Sequence, residues 1–256
     1  MYYSARRATG DPTYVLTSLT FRIVSVNGIL FRNSALRTRN GQVGGTIVMR
    51  TPKTVRGLEE FSRVRLSRSF FMRDFLYSDI SNLHGIPNLP ADPDLAISAG
   101  RRLCEELLEP LQATFGRLAI RSAYRSAAVN AFGNAHHHNC ASNERNYGRH
   151  IWDRRDARGS MGATACIVVP WFADRLLEGT PWQAMARWIH DHLPYSQLQF
   201  FPKLGAFNIG WQEYPKREIQ LHPASRVPDP AGHAEPHWRP CGSIPGVSHP
   251  MTKTCA

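Results

Sequence analysis

The segment LAIRSAYRS, at residues 118–126, predicts a short strand followed by a positioned arginine. Residues 118–120 predict a short β-strand, after which the chain enters a more polar stretch. Arg125 follows this strand closely, so we expect its guanidinium to be held rigidly at the edge of a cleft. Because a planar guanidinium donates two parallel hydrogen bonds to a carboxylate, Arg125 is the first candidate for binding a ligand with a free carboxylate. The alternative is a structural arginine that pairs with an aspartate of the same domain.

Hydrophobic periodicity on both sides of this segment predicts a mixture of helices and strands. Upstream, leucines recur at three- and four-residue steps between Leu95 and Phe115, which is typical of an amphipathic helix, and Asp92 or Asp94 is suited to cap it. Downstream, the patterns predict strands at 163–169, 197–201, 206–211 and 219–221 and helices at 171–177 and 181–192. Because these elements do not alternate as βαβ units, we predict an α+β fold with a small antiparallel sheet flanked by helices.

The two ends of the chain differ in composition from its middle. Residues 1–68 hold 12 Lys and Arg against 3 Asp and Glu, whereas residues 69–222 hold 16 against 15. We expect residues 1–68 to form a basic, poorly patterned extension and residues 69–222 to form the folded domain. Residues 223–256 carry seven prolines, which predicts a disordered tail. A basic extension attracts phosphates, but no recognised motif accompanies it, so no specific nucleic acid is expected as a partner.

Cysteine usage and hydropathy bear on the cellular setting. The five cysteines are odd in number and form no CxxC pair, which gives no support to a disulfide framework. The sequence contains no run of 18 apolar residues, so no membrane span is expected. No clear signal peptide is recognised, and the localisation stays unknown, with the cytoplasm as the default expectation.

A polar stretch at residues 130–159 contains candidate metal ligands. His150 and Asp153 are three residues apart and would share one face if the segment were helical. Histidine and aspartate are both good zinc ligands, and Asp156 lies near enough in sequence to act as a general base. The same pattern also fits a structural role, in which His150 and Asp153 form hydrogen bonds that fix the loop.

The segment Ser122-Ala123-Tyr124-Arg125-Ser126, with Asn130 four residues further on, resembles a known motif. It is similar to the Ser-Gly-Tyr-Arg-Ser-x-x-x-Asn motif of the D-Ala-D-Ala carboxypeptidase-like zinc peptidases. The likeness covers roughly residues 69–213 and implies the fold that this family shares with the Hedgehog signalling domain. It also implies that the substrate-binding residues are Ser122, Tyr124, Arg125 and Asn130.

The same resemblance implies a zinc site. In the family, two histidines and one aspartate hold a zinc ion that polarises the scissile carbonyl, and a glutamate is the base. In this chain, Ser160 stands where the family has a histidine ligand, and Ile167 stands where it has the aspartate. The remaining candidates are a rearranged set, with His150 and Asp153 as metal ligands and Asp156 as the catalytic base.

Two functions follow from the resemblance, and the sequence leaves both open. The first is a DD-carboxypeptidase-like metallohydrolase with an atypical zinc site, whose substrate is a peptide with a free C-terminus, such as a peptidoglycan stem peptide. The second is a catalytically inactive binding module of the same fold, which takes the same peptide carboxylate through Arg125. Whether the protein is an enzyme depends on whether zinc is bound.

Overall fold

The computed structural model describes residues 25–26, 29–30 and 49–221, and these residues belong to two compact units. The first unit spans Met1–Ile47, where strand β1 (Ser25–Val26) pairs antiparallel with β2 (Ile29–Leu30). The second unit begins at Val48 and contains all the remaining elements. The proposed Pro-rich tail at 223–256 lies outside the described residues, as does most of the proposed N-terminal extension.

The second unit contains eight α-helices in its described part. Their bounds are α1 Val55–Ser62, α2 Asp79–His84, α3 Pro93–Leu103, α4 Glu109–Phe115, α5 Ala127–Ala135, α6 Asn143–Asn146, α7 Pro170–Leu177 and α8 Trp182–His192. The described part also contains two short 3₁₀ turns, at Met72–Phe75 and Pro202–Leu204. A π-helical turn lies at Cys104–Leu108.

The predicted amphipathic helix is confirmed, and it runs through α3, the π-helical turn and α4. Asp92 caps its start, because its carboxylate accepts a hydrogen bond of 3.0 Å from the Leu95 amide. The π-helical turn at Cys104–Leu108 ends two residues before Pro110, which has no amide hydrogen and would crowd a regular helix. The wider turn lets the helix continue to Phe115, where Gly116 at a φ of 83° ends it.

A five-stranded sheet forms the centre of the second unit. Its strands are β3 Ala119–Ser122, β4 Gly162–Val168, β5 Gln197–Phe201, β6 Ala206–Gln212 and β7 Glu218–Leu221, in the order β3-β4-β6-β5-β7. The α+β class is therefore confirmed, but the expectation of a purely antiparallel sheet is wrong. β7 pairs parallel with β5 because the chain, after leaving β6, crosses at residues 213–217 to the start of β5 and then runs beside it.

The core lies between one face of the sheet and the helices. α3 packs against β4 and β6, and the largest fully buried side chains include Trp152, Tyr124 and Tyr195. Phe61 and Leu66, which fall in the stretch assigned to the N-terminal extension, also belong to this core. No helix in the described part of the chain has the length and apolar character needed to cross a membrane.

Gly162 marks a point of close backbone contact at the start of β4. A Cβ atom added there would lie 2.2 Å from the carbonyl oxygen of Gly148 and 2.8 Å from that of Trp211. Both neighbours are backbone atoms that cannot rotate away, so we expect Gly162→Ala to lower the free energy of unfolding by about 2 kcal/mol. Urea denaturation measures this change. Leu177→Ala, at a side chain that is 89% exposed, is the control and should change stability by less than about 0.5 kcal/mol.

Candidate functional site

A cleft of about 730 Å³ opens over the face of the sheet that points away from α3. All five strands β3 to β7 contribute to its floor, and its walls come from α2 and from the loop that follows α5. Antiparallel strands commonly pack one face on the core and leave the other open, and three of the four strand pairs here are antiparallel. The alternation along β5 illustrates this, because Phe200 enters the core while Gln197, Gln199 and Phe201 line the cleft.

One side chain from each strand forms a continuous row across the cleft floor. Strand pairing places Ser122 beside Cys166, Cys166 beside Asn208, Asn208 beside Gln199, and Gln199 beside Gln220. All five line the cleft. We call these five residues the floor row. None of them carries a formal charge at neutral pH, so the floor offers hydrogen-bonding groups and a thiol rather than ions.

Positive charge lines the cleft, and two of its three arginines, Arg121 on β3 and Arg125 just after it, lie at the β3 side. Arg121, Arg125 and Arg149 all line the cleft, and among the described residues a single carboxylate, that of Asp79, does so. Within residues 49–221, no carboxylate lies within 4.0 Å of any of these three guanidinium groups. Burial lowers the pKa of Arg149, although arginine stays charged at neutral pH. Unpaired cations in a partly enclosed cleft attract an anionic ligand.

Arg125 is held in place by its backbone and by two side chains. Its amide donates a 2.8 Å hydrogen bond to the carbonyl of His150. Its Nη1 donates to Oδ1 of Asn130 at 3.3 Å and to Sγ of Cys140 at 2.8 Å. Neither partner is a carboxylate, so the alternative of a structural arginine paired with an aspartate finds no support among the described residues. A guanidinium fixed by neutral groups keeps its charge available for a ligand.

His150 lines the cleft as a neutral imidazole. Its Nδ1 lies 2.8 Å from the carbonyl oxygen of Ala123, and a carbonyl only accepts, so Nδ1 carries the proton and Nε2 carries the lone pair. Burial, with the nearby charge of Arg125, lowers the pKa of His150 to about 3. His150 therefore adds no positive charge to the cleft at neutral pH.

Asn130 is a buried scaffold residue rather than a lining residue. Its Nδ2 donates to the carbonyl of Ala141 at 3.0 Å and to Oδ1 of Asn143 at 2.8 Å. Its Oδ1 accepts from Asn146 at 2.9 Å and from Arg125. Every hydrogen-bonding group of the amide is thus used within the protein. Asn130 positions Arg125 and the cleft wall, and so acts on a ligand only indirectly.

Tyr124 and Asp153 lie in the interior, outside the set of residues that line the cleft. The Tyr124 ring is fully buried and packs edge-on against Trp152 at 6.0 Å between centroids. Burial raises the pKa of the Tyr124 hydroxyl far above its usual value, and the Asp153 carboxylate raises it further. Oδ2 of Asp153 accepts a 2.7 Å hydrogen bond from the Ala91 amide. Asp153 therefore ties a loop to the core.

Asp156 stabilises a turn. Its Oδ1 accepts hydrogen bonds of 2.9 Å from the amides of Arg158 and Ser160, an arrangement that fixes the loop before β4. Its side chain is not among the residues lining the cleft. Its expected role as a general base therefore has no support from its position.

The described residues do not present a zinc-ligand set. Residues 150–153 form turns rather than a helix, so His150 and Asp153 do not share a helix face. His150 lines the cleft whereas Asp153 bonds to the Ala91 amide. Across residues 49–221, no group of three or more His, Cys, Asp or Glu side chains is arranged to hold a metal ion. A structural zinc site needs four protein ligands and a catalytic one usually three, so these residues do not fit the ion.

The structure thus brings Ser122, Arg125 and His150 together in the cleft lining, with Asn130 bonded to Arg125 behind it. The remaining predicted site residues, Tyr124, Asp153 and Asp156, lie outside the lining. Sequence reasoning missed Arg121, Arg149 and the amide side chains of the floor row. The period-two alternation of the QLQFF stretch at residues 197–201 is a signal for the latter, because it marks glutamines that share one face of a strand.

Comparison of the chain with known protein families, with curated proteins and with solved structures finds no match in any of the three.

Proposed function

We propose that the protein is a binding module that takes a peptide through its free C-terminal carboxylate. The observation that carries this proposal is the convergence of Arg121, Arg125 and Arg149 on one cleft without a carboxylate partner in the described part of the chain. A charge-assisted hydrogen bond from a fixed guanidinium is roughly twice as strong as a neutral one. The enclosed position of the cleft strengthens that attraction further.

A peptide fits this cleft better than a simple anion does. Beyond the three arginines, the floor is uncharged and consists largely of hydroxyl and amide groups. Such a surface matches a ligand that is anionic at one end and neutral and polar along the rest of its length, as a peptide with a free C-terminus is. A nucleic-acid ligand would need phosphate contacts distributed along its path, whereas the floor row between the arginines and β7 is uncharged.

The resemblance of Ser122–Ser126 to the D-Ala-D-Ala carboxypeptidase-like zinc peptidases supports the same ligand class. We therefore propose a Hedgehog/DD-peptidase-like architecture for the domain and a peptidoglycan stem peptide ending in D-Ala-D-Ala as the first ligand to test. The α+β fold and the position of Arg125 at the cleft agree with this proposal. Zinc-dependent hydrolysis stays a prediction, and no step of it follows from the residues described.

Isothermal titration with an acylated Lys-D-Ala-D-Ala peptide tests the proposal. We expect the free acid to bind at least about tenfold more tightly than its C-terminal amide, because amidation removes the charge that the guanidinium recognises. Arg125→Ala should weaken binding of the acid by a similar factor. Arg175→Ala is the matched control, since Arg175 stacks on Trp171 outside the cleft lining and should leave binding unchanged.

Several results would overturn this assignment. Equal affinity for acid and amide, or equal affinity of wild type and Arg125→Ala, would exclude carboxylate recognition. If inorganic phosphate bound the cleft with an affinity similar to that of the peptide, the cleft would be a general anion site. If protein with stoichiometric zinc released D-Ala, and His150→Asn abolished this release, the protein would be a metallohydrolase and not only a binding module.

A further inference from the structure

We infer that the floor row is a second subsite, which binds the peptide backbone upstream of the carboxylate and makes affinity depend on ligand length. This inference rests on the proposed carboxylate recognition and adds to it the direction, the length and the chemical character of the ligand. The residues that determine length preference are Asn208, Gln199 and Gln220.

The direction of the ligand follows from where the charge lies. The floor row begins at Ser122 on β3, next to Arg121 in the chain, and it ends at Gln220 on the edge strand β7. The charges of Arg121 and Arg125 both act on Cys166, the second residue of the row. A register shift between Ile120 and Ser122 lets the adjacent residues Arg121 and Ser122 both line the cleft. The carboxylate is therefore placed over β3, and the upstream residues extend across β4, β6 and β5 towards β7.

The length of the ligand follows from strand spacing. Neighbouring strands lie about 4.8 Å apart, so the four steps from β3 to β7 span about 19 Å. An extended peptide advances about 3.4 Å per residue. The floor row therefore matches a segment of about five or six residues, which is longer than the dipeptide that the arginines alone recognise.

The free hydrogen-bonding groups of the floor row suit peptide amides. Nδ2 of Asn208 donates to Oε1 of Gln199 at 3.1 Å, which fixes both side chains. This bond leaves the donor Nε2 of Gln199 and the acceptor Oδ1 of Asn208 without a protein partner among the described residues, and the Gln220 side chain at the end of the row is exposed. A peptide unit offers one donor and one acceptor, so it pairs with such a surface at both groups.

A length series measured by isothermal titration tests the inference. The ligands are N-acetylated peptides of one to seven residues with neutral side chains and the same C-terminal D-Ala-D-Ala wherever length permits. We expect affinity to rise by about tenfold or more between two residues and five, and then to level off, because each net hydrogen bond contributes a few-fold. Gln199→Ala and Gln220→Ala should remove most of that gain while leaving the dipeptide affinity unchanged.

The controls separate this inference from the proposed function. Gln183→Ala replaces an exposed glutamine on α8, outside the cleft, and should reproduce the wild-type length series. If affinity does not depend on length but still requires Arg125, the subsite is refuted and carboxylate recognition stands. If Arg125→Ala has no effect at any length, both fail. If Gln199→Ala weakens the dipeptide as much as the pentapeptide, the floor row is not a separate subsite.

Discussion

Replacing His150 by asparagine is expected to make the protein lose less stability in acid. His150 titrates with a pKa of 6.5 when unperturbed, but burial and the neighbouring Arg125 and Arg149 lower its pKa to about 3 in the folded state. Between these two values the unfolded chain binds a proton that the folded chain does not. Above pH 6.5, His150 therefore does not reduce the free energy of unfolding. As the pH falls from 6.5 towards 3, it lowers the free energy of unfolding by about 1.4 kcal/mol per pH unit.

Urea denaturation at pH 7, 6, 5 and 4 measures this effect. Asparagine does not titrate, and its Nδ2 can donate to the Ala123 carbonyl as Nδ1 of His150 does. We expect the wild type to lose about 3 kcal/mol more than His150→Asn over the two units from pH 6 to pH 4. His137→Asn, at an exposed loop residue, is the control. Parallel stability curves for wild type and His150→Asn would show that the imidazole is charged in the fold.

Removing the side chain of Asn130 is expected to cost about 3 kcal/mol or more of folding free energy. Asn130→Ala removes the bonds that Asn130 makes to the Ala141 carbonyl, to Oδ1 of Asn143 and to Nδ2 of Asn146, although Asn146 keeps a 3.3 Å bond to the Ala141 carbonyl. Each buried polar group that loses its hydrogen bond costs about 1–3 kcal/mol. Because Asn130 also accepts from Arg125, we further expect the variant to bind carboxylate ligands more weakly.

Thermal and urea denaturation measure the stability of this variant. Asn134→Ala, on the same helix α5 but partly exposed, is the matched control and should change stability by less than about 0.5 kcal/mol. Asn130→Asp should be destabilising as well, because a carboxylate offers no donor to Ala141 or Asn143. Wild-type stability of both Asn130 variants would mean that the interior around α5 and α6 rearranges without cost.

The regular elements were predictable because each carries its own hydrophobic period. The predicted strand at 197–201 coincides with β5, and the predicted helix at 171–177 differs from α7 by one residue. The parallel pairing of β7 was not predictable, because it depends on the path of the chain after β6 and leaves no local pattern. Helices α5 and α6 were missed, since their residues are polar or small and are held by side-chain bonds such as those of Asn130.

The candidate site was predictable only at its centre. Arg125, which follows a short strand, lines the cleft, and His150 lines it too. Asp153 was separated from His150 because the segment between them is a turn in which Ile151 and Trp152 are fully buried. Residue spacing assigns a shared face only inside a regular element.

The order of strands in the sheet has a consequence for how the domain folds. β5, β6 and β7 are close in sequence, so their pairing closes only short loops. Pairing β3 with β4 requires closure of a much longer segment that contains α5 and α6. We expect the three C-terminal strands to assemble early and the β3 edge to join late. The β3 side of the cleft, with Arg121 and Arg125, then becomes complete only when this long segment has closed.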